Sequence, residues 1–465
     1  MRAPCARRRG VRMMTVCALP PPNPSGLSKG FSLLEWTNQV LPQGQLVSGV
    51  KEGWKLAWAA MMRELAPQSK DGSYTRPGYA FGGRLGEAQF PAEAGRYHLY
   101  LGNACPWCHR VALAAVLRGW FRPSTQAQTQ QAAAGAGSGA VAAAGVGGPL
   151  LPRAPLISFT RLEDDPTRAR RGGWVFGAAD PDPVFGAADL WQVYDTVSPG
   201  FRGRCTAPLL VDRAARAAVC NESADIVRGL DAAHLPGATT AVQLRPPALA
   251  AQIDVLNARI YSAINNGVYR SGFATTQAAY DAVQAELWGA LDEMEARLGA
   301  SRFLLGDRLT ESDVWLFPTI VRLDAMYGPL FKCSRRRIFG NSSPAAVARH
   351  SGHAGAAAVA RHSGHAGAAA VASGAGAAAG GCGGDYPNLA GWARDIWQLQ
   401  VPGSLVQISD TFDLDAARRS YFTSLFPLNP GGIVPAGPTA ADLQLGGRAP
   451  GRGSSSALED VCHMR

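Results

Sequence analysis

The spacing of apolar and polar positions changes character once along the chain. Between about residues 90 and 230, short apolar runs alternate with longer stretches at helical spacing. Tyr97–Gly102 reads as a buried strand, and 106–118 as a helix whose apolar run is Val111-Ala-Leu-Ala-Ala-Val-Leu117. Pro155–Phe159 and Thr206–Asp212 read as further strands, and Glu222–Leu230 as a helix with Asn221 as its N-cap. From about residue 247 the spacing is helical throughout: Leu249–Ala263, Gln277–Leu298, Glu311–Tyr327 opened by Thr310, and Asp385–Gln400. Strand–helix–strand units followed by helices alone predict an α/β domain and then an all-α domain.

Three stretches break this pattern. Residues 123–155 are rich in Gln, Ala and Gly, with no charge before Arg153. Residues 342–384 hold a tandem repeat in which His350 and His353 recur as His362 and His365. Residues 438–465 are rich in Gly, Arg and Ser. None carries enough apolar surface to fold alone. The expected division is a leader 1–45, an extension 46–90, an α/β domain 91–235 holding the first insert, a helical domain 245–437 holding the second, and a disordered tail 438–465. His-rich tracts sometimes bind metal, but no Cys or carboxylate completes a site in the repeat, and no metal is expected.

Composition narrows the function classes. At 465 residues and 47% hydrophobic content, the chain suffices for two cores, yet no run has the length and Leu/Ile/Phe weight of a membrane span. Nine cysteines without framework spacing suit a reducing compartment. The net charge of +10 is concentrated at the start: residues 1–34 hold Arg2, Arg7, Arg8, Arg9, Arg12 and Lys29 and no acid. A terminal Arg cluster without interleaved aromatics argues against nucleic-acid binding. An Arg-rich, acid-free leader without a long apolar core reads as an organellar transit peptide, with a basic tail that stays in the cytosol as the alternative.

Candidate chemistry centres on Cys105-Pro106-Trp107-Cys108-His109-Arg110. The pattern C-x-x-C-H is also a c-type haem attachment signal. Haem attachment would require export and an axial ligand, which nothing in the sequence marks, and no haem is expected. A cysteine between a buried strand and a helix is instead the nucleophile position of a thioredoxin-like fold. There it faces unsatisfied N–H groups and the positive end of the helix dipole, which favour thiolate over thiol. Pro106 fits the first helical position, where a missing donor costs nothing. Trp107 is expected to shield the site, and His109 and Arg110 to add positive charge. Cys108 is open to two readings, a resolving thiol or a small core residue.

Further runs carry a family resemblance: Gly173-Trp174-Val-Phe176, Gly203-Arg-Cys-Thr-Ala-Pro208, Asn221-Glu-Ser223, Ile264-Asn-Asn-Gly-Val-Tyr269, Leu309-Thr-Glu-Ser-Asp313, Val321-Arg-Leu-Asp324, Phe331-Lys-Cys333, Asp385-Tyr-Pro-Asn-Leu389 and Asn429-Pro-Gly-Gly-Ile-Val-Pro435. Together with the Cys105 motif they resemble the glutathionyl-hydroquinone reductases, the xi class of glutathione transferases, in family order over roughly residues 50–437. Residues 51–79 resemble the extension of plastid-type members. The resemblance implies an α/β thioredoxin-like N-terminal domain followed by an all-α transferase domain, glutathione as co-substrate, a glutathionylated hydroquinone as substrate and a homodimer. It further implies residence in the chloroplast, with the mitochondrion or cytosol as alternatives. Cys105 is then the nucleophile, with Tyr269 and Tyr421 binding phenolic oxygens and assisting protonation, and Tyr327 a lesser pocket residue. Glutathione would meet Trp174, the Ala207 backbone beside a cis Pro208, Glu222 and Ser223. The family commonly has Ala where Cys108 stands, which leaves an intramolecular thiol route open. The alternatives are an omega-like thioltransferase or dehydroascorbate reductase, which does not explain the Asn-Asn-Gly-Val-Tyr run, and a non-catalytic glutathione-fold binding protein.

Overall fold

The structure, a computed structural model, describes residues 43–65, 80–122, 155–165, 167–170, 173–234, 241–340, 384–447, 452 and 456–464. Leader residues 1–42, both inserts apart from their end residues, and the histidine repeat lie outside the described residues. The chain divides after Glu64 into two units. The first holds all but the last residue of α1 (Gln43–Leu65), a helix that leaves Trp54 and Leu56 exposed.

The second unit is built around β1 (Tyr97–Gly102), all six residues of which are buried. It pairs in parallel with β2 (Ser158–Asp164) and antiparallel with β4 (Leu209–Asp212). Two edge strands complete a five-stranded sheet in the order β3-β2-β1-β4-β5: β3 (Trp174–Phe176) and β5 (Ala217–Cys220). A parallel pair needs a crossover, and α2 (Pro106–Leu117) lies in it. Every residue of α2 except Trp107 is buried. This helix packs on both sides, against α4 (Ser223–Ala232) and the helical region, which explains an apolar run in place of a stripe. Between β3 and β4 runs α3 (Leu190–Val197), capped by Asp189. The arrangement is the α/β one that the pattern predicts, and the thioredoxin-like one that the Cys105 motif and the family resemblance imply. β2 begins three residues later than expected and runs on through Arg161 and Glu163, because its far half alternates buried with exposed side chains.

The helical part contains α5 (Ala250–Ile260), α6 (Gly267–Gly272), α7 (Gln277–Ala300), α8 (Glu311–Arg322), α9 (Gly328–Phe331), α10 (Pro387–Trp397) and α11 (Leu414–Ser424). At its centre is α8, buried over all twelve residues. Its start is fixed by a capping box, as Thr310 predicts. Asp313 accepts from Thr310 N at 2.9 Å, and it also accepts from Leu304 N at 3.1 Å and Trp392 Nε1 at 2.9 Å. Two of the expected helices do not run through. The chain makes π turns at Tyr261–Asn265 and Leu323–Tyr327, where Asn266 N–H reaches back five residues to Tyr261 O and Gly328 N–H to Leu323 O. Among the described residues no helix is long and apolar enough to cross a membrane.

The expected disordered tail needs correction. Residues 438–447 and 456–464 belong to the fold, as α12 (Ala440–Leu443), α13 (Leu458–Val461) and β7 (His463–Met464). β7 pairs antiparallel with β6 (Val242–Gln243), and Leu458, Val461 and Cys462 are buried. Arg452 donates to Leu298 O in the last turn of α7 and to the carbonyl of Ser301, the residue that caps it. A few well-placed apolar residues docked on a formed surface suffice here, and a composition averaged over Gly, Arg and Ser hides them.

Candidate active site

β1 stops at Gly102, and Cys105 N–H donates to Gly102 O at 3.2 Å, closing the turn into α2. Cys105 is the N-cap of α2, extended at φ −74° and ψ 119°, with Pro106 in the first turn. It is half-buried, and its thiol donates to Ala207 O at 3.5 Å. The Ala207–Pro208 peptide is cis. The sequence-predicted nucleophile, Ala207 and Pro208 are therefore brought together at one sheet end.

The other members of the motif turn inward. Cys108 is buried, and burial first, then the neighbouring Cys105, push its thiol up, so it stays protonated. That environment suits the core reading of Cys108 better than the resolving one. His109 does not supply the expected positive charge. Burial and then Arg322 hold it well below the ordinary histidine range, so it is neutral. Both its ring nitrogens are engaged, Nδ1 with Arg322 at 2.9 Å and Nε2 with Thr411 at 3.1 Å. Arg110 is buried with its guanidinium 3.9 Å from the Trp315 ring centroid and 4.9 Å from that of Trp107. It donates to Ser223 Oγ at 3.4 Å and to Asn265 Oδ1 at 3.2 Å, joining α2 to α4 and to the first π turn.

On the proposed glutathione side, Trp174 is half-buried on β3, with its ring laid against Gly102. A methyl group at Gly102 would stand 2.3 Å from that ring, so only glycine admits the contact. Gly102→Ala is accordingly expected to push Trp174 aside and change its fluorescence; an unaltered emission spectrum would refute the contact. Asn221 is not the cap of α4. Its Oδ1 accepts from Ala80 N and Phe81 N, while its Nδ2 donates to the Tyr194 hydroxyl at 3.0 Å. Glu222 caps instead, accepting from Ala224 N at 3.1 Å and from Ser223 Oγ at 3.2 Å. Glu222 and Ser223 thus sit at the helix N-terminus as the sequence predicts, with Glu222 half-buried and Ser223 buried.

Tyr269, Tyr327 and Tyr421 meet through their hydroxyls. The separations are 2.6 Å for Tyr269–Tyr421, 3.2 Å for Tyr327–Tyr421 and 3.4 Å for Tyr269–Tyr327. Tyr327, the lesser candidate in sequence, is an equal partner. It ends the second π turn, and Tyr269 lies just beyond the first. Burial raises all three phenols, and for Tyr327 Cys105 is among the further causes. All three therefore stay protonated at neutral pH, able to donate hydrogen bonds or a proton.

Several contributors were missed in the sequence. Phe331 stacks on Tyr327 at 5.4 Å, and Gly272 makes room for it, since a methyl there would come within 2.5 Å of the Phe331 ring. Asn265 donates to Trp315 O at 3.0 Å and Thr319 Oγ1 at 2.7 Å, pinning the first π turn to α8. Asn429 donates to Phe422 O and Ile433 O, folding the Asn-Pro-Gly-Gly loop back onto α11 beside Tyr421. These residues lie in or next to the quoted motifs, but spacing alone does not say what they touch. Among the described residues, no group of three or more His, Cys, Asp or Glu side chains is placed to hold a metal ion.

Comparison with known proteins agrees with this geometry. Residues 277–348 match the family described as glutathione S-transferase, C-terminal domain. Glutathionyl-hydroquinone reductase PcpF of Sphingobium chlorophenolicum is 33% identical over 403 residues, 85% of this chain and 96% of that protein. Glutathionyl-hydroquinone reductase YqjG of Escherichia coli K12 is 32% identical, over 85% of this chain and 95% of its own. Its glutathione-bound structure superposes with a TM-score of 0.56 at 30% identity, covering 83% of this chain and 94% of that one. The xi glutathione transferase of Phanerochaete chrysosporium gives a TM-score of 0.58 at 30% identity, over 80% of this chain and 94% of that one. A thiol at the head of α2, a cis-proline opposite it and relatives matched over nearly their whole length place the chain in the glutathionyl-hydroquinone reductase family, the xi-class glutathione transferases.

Proposed function

We propose that the chain reduces glutathionyl-hydroquinones to hydroquinones at the expense of glutathione, with Cys105 as nucleophile. The observation that carries this reading is the convergence of three protonated tyrosine hydroxyls in the fold that presents Cys105. A thiol–disulfide exchange needs no such cluster; displacement from an aromatic carbon does. Cys105 thiolate attacks the glutathionyl sulfur, the bond from that sulfur to the ring breaks, and the ring carbon takes a proton. Tyr269, Tyr327 and Tyr421 hold the phenolic oxygens and assist that transfer. The products are the hydroquinone and a Cys105–glutathione disulfide. A second glutathione, as thiolate, attacks this disulfide, releasing oxidised glutathione and restoring the Cys105 thiolate.

The tripeptide lies along the sheet end. Trp174 packs on it, the Ala207 backbone beside cis Pro208 pairs with its cysteinyl unit, and the α4 N-terminus with Glu222 and Ser223 takes the γ-glutamyl end. The glutathione-bound relative supports a tripeptide site in this fold. The Arg-rich leader supports import into the chloroplast, and the family resemblance supports a homodimer.

The test is turnover of a glutathionylated model hydroquinone with excess glutathione, beside glutathionylated mercaptoethanol. Wild type should reduce the aromatic substrate. Tyr269→Phe should lower that rate at least about tenfold while leaving the disulfide rate nearly unchanged. Reduction of the disulfide alone would make the protein a thioltransferase of omega-like type. No turnover of either would make it a binding protein.

A further inference from the structure

Arg322, the last residue of α8, is wholly buried under the turn that presents Cys105. Its Nη2 donates to Asn103 O at 3.0 Å and its Nε to Ala104 O at 3.2 Å, the two carbonyls immediately before the cysteine. Nη1 donates to Pro318 O at 2.8 Å and meets His109 Nδ1 at 2.9 Å. The guanidinium also lies 3.8 Å from the centroid of the Phe412 ring. All these partners are neutral, and none of the ion pairs among the described residues involves Arg322. A buried cation without a carboxylate is costly unless an anion forms within its field.

The groups that face it define where that anion can be. On α2 these are His109, held neutral, and Cys108, held as a thiol. From the second π turn comes Tyr327, and from α11 Tyr421. Burial keeps both phenols protonated, and Arg322 opposes that rise at Tyr327 and Tyr421 alike. Cys105, half-buried at the positive end of α2 and one residue beyond the Ala104 carbonyl, is left to take the negative charge.

We propose that Arg322 is a positioning residue for Cys105: it fixes the Asn103–Ala104 turn, and its unmatched charge favours the thiolate. The idea rests on Cys105 being the nucleophile, yet its test does not depend on the substrate. The rate of Cys105 alkylation by iodoacetamide is followed against pH in the full chain, by mass of the Cys105 peptide, for wild type, Arg322→Lys and Arg322→Met. Wild type should titrate below the free-cysteine value of about 8.5. Arg322→Met should raise the midpoint by about one pH unit or more, and Arg322→Lys should return most of that shift. A wild-type midpoint at the free value overturns the proposal without any variant, even if Arg322→Met fails to fold. So does a folded Arg322→Met with the wild-type midpoint, or an Arg322→Lys midpoint raised as far as that of Arg322→Met. Hydroquinone turnover measured in parallel separates the two ideas. A low midpoint without turnover counts against the reductase reading and leaves the role of Arg322 standing.

Discussion

Cys105→Ser should abolish reduction of a glutathionylated hydroquinone, a loss of at least about 10³-fold, while Cys108→Ala should stay within about threefold of wild type. Serine fits the N-cap of α2 equally well, so the loss reports chemistry and not folding. Its hydroxyl does not ionise near neutral pH, and it forms no mixed disulfide. Cys108, one turn on, differs in every respect that matters to an attacking sulfur. It is 1% exposed, and burial together with Cys105 keeps its proton in place. To resolve the intermediate it would have to leave the core as a thiolate, whereas glutathione arrives from solvent. Alanine removes one buried sulfur and leaves a small void. Equal loss of turnover in Cys108→Ala, with a Cys105–Cys108 disulfide found by mass in wild type during turnover, would replace this route by a dithiol one.

Ending the chain after Gly447 should lower the stability of the protein by about 3 kcal/mol or more. Leu458, Val461 and Cys462 are buried against the helical region. Burying a Leu or Val side chain contributes about 1.5–3 kcal/mol, offset in part by the entropy of ordering the segment. The truncation also leaves Leu309 N–H without Val461 O at 2.7 Å, and β6 without its partner. An unpaired buried donor costs about 1–3 kcal/mol. The measurement is the urea midpoint of the truncated and full chains. Coincident curves would mean that residues 448–465 contribute nothing to the fold.

Much of the architecture is legible in the sequence, and the exceptions have identifiable causes. β1, α2, α7 and the start of α8 follow from apolar spacing and caps that act locally, with Thr310 and Asp313 a self-contained example. β3 and β5 were missed because three- and four-residue edge strands show no period. Asn221 was misread as a cap because the donors that claim it, Ala80 N and Phe81 N, lie about 140 positions away. His109 was misread for the same kind of reason: nothing in Cys-His-Arg announces that Arg322 and burial will keep the imidazole neutral. For the site, Cys105 was readable from chain chemistry, whereas the cis Pro208 came from the family resemblance. Trp174, Tyr269 and Tyr421 rested on family resemblance, and the equal standing of Tyr327 emerged only from hydroxyl positions.

Each π turn is an α-helix holding one surplus residue. A helix advances about 100° per residue, so removing one residue from Tyr261–Asn265 or Leu323–Tyr327 would swing the adjoining phenol by that angle relative to the elements packed around it. The distance between sulfur and phenol is thereby set in steps, by the number of residues in the backbone and not by side-chain choice. Single-residue insertions and deletions at these two turns are consequently the changes that would re-aim the three phenols, and with them the outline of the aromatic substrate proposed above, while the thiol and its sheet stay where they are.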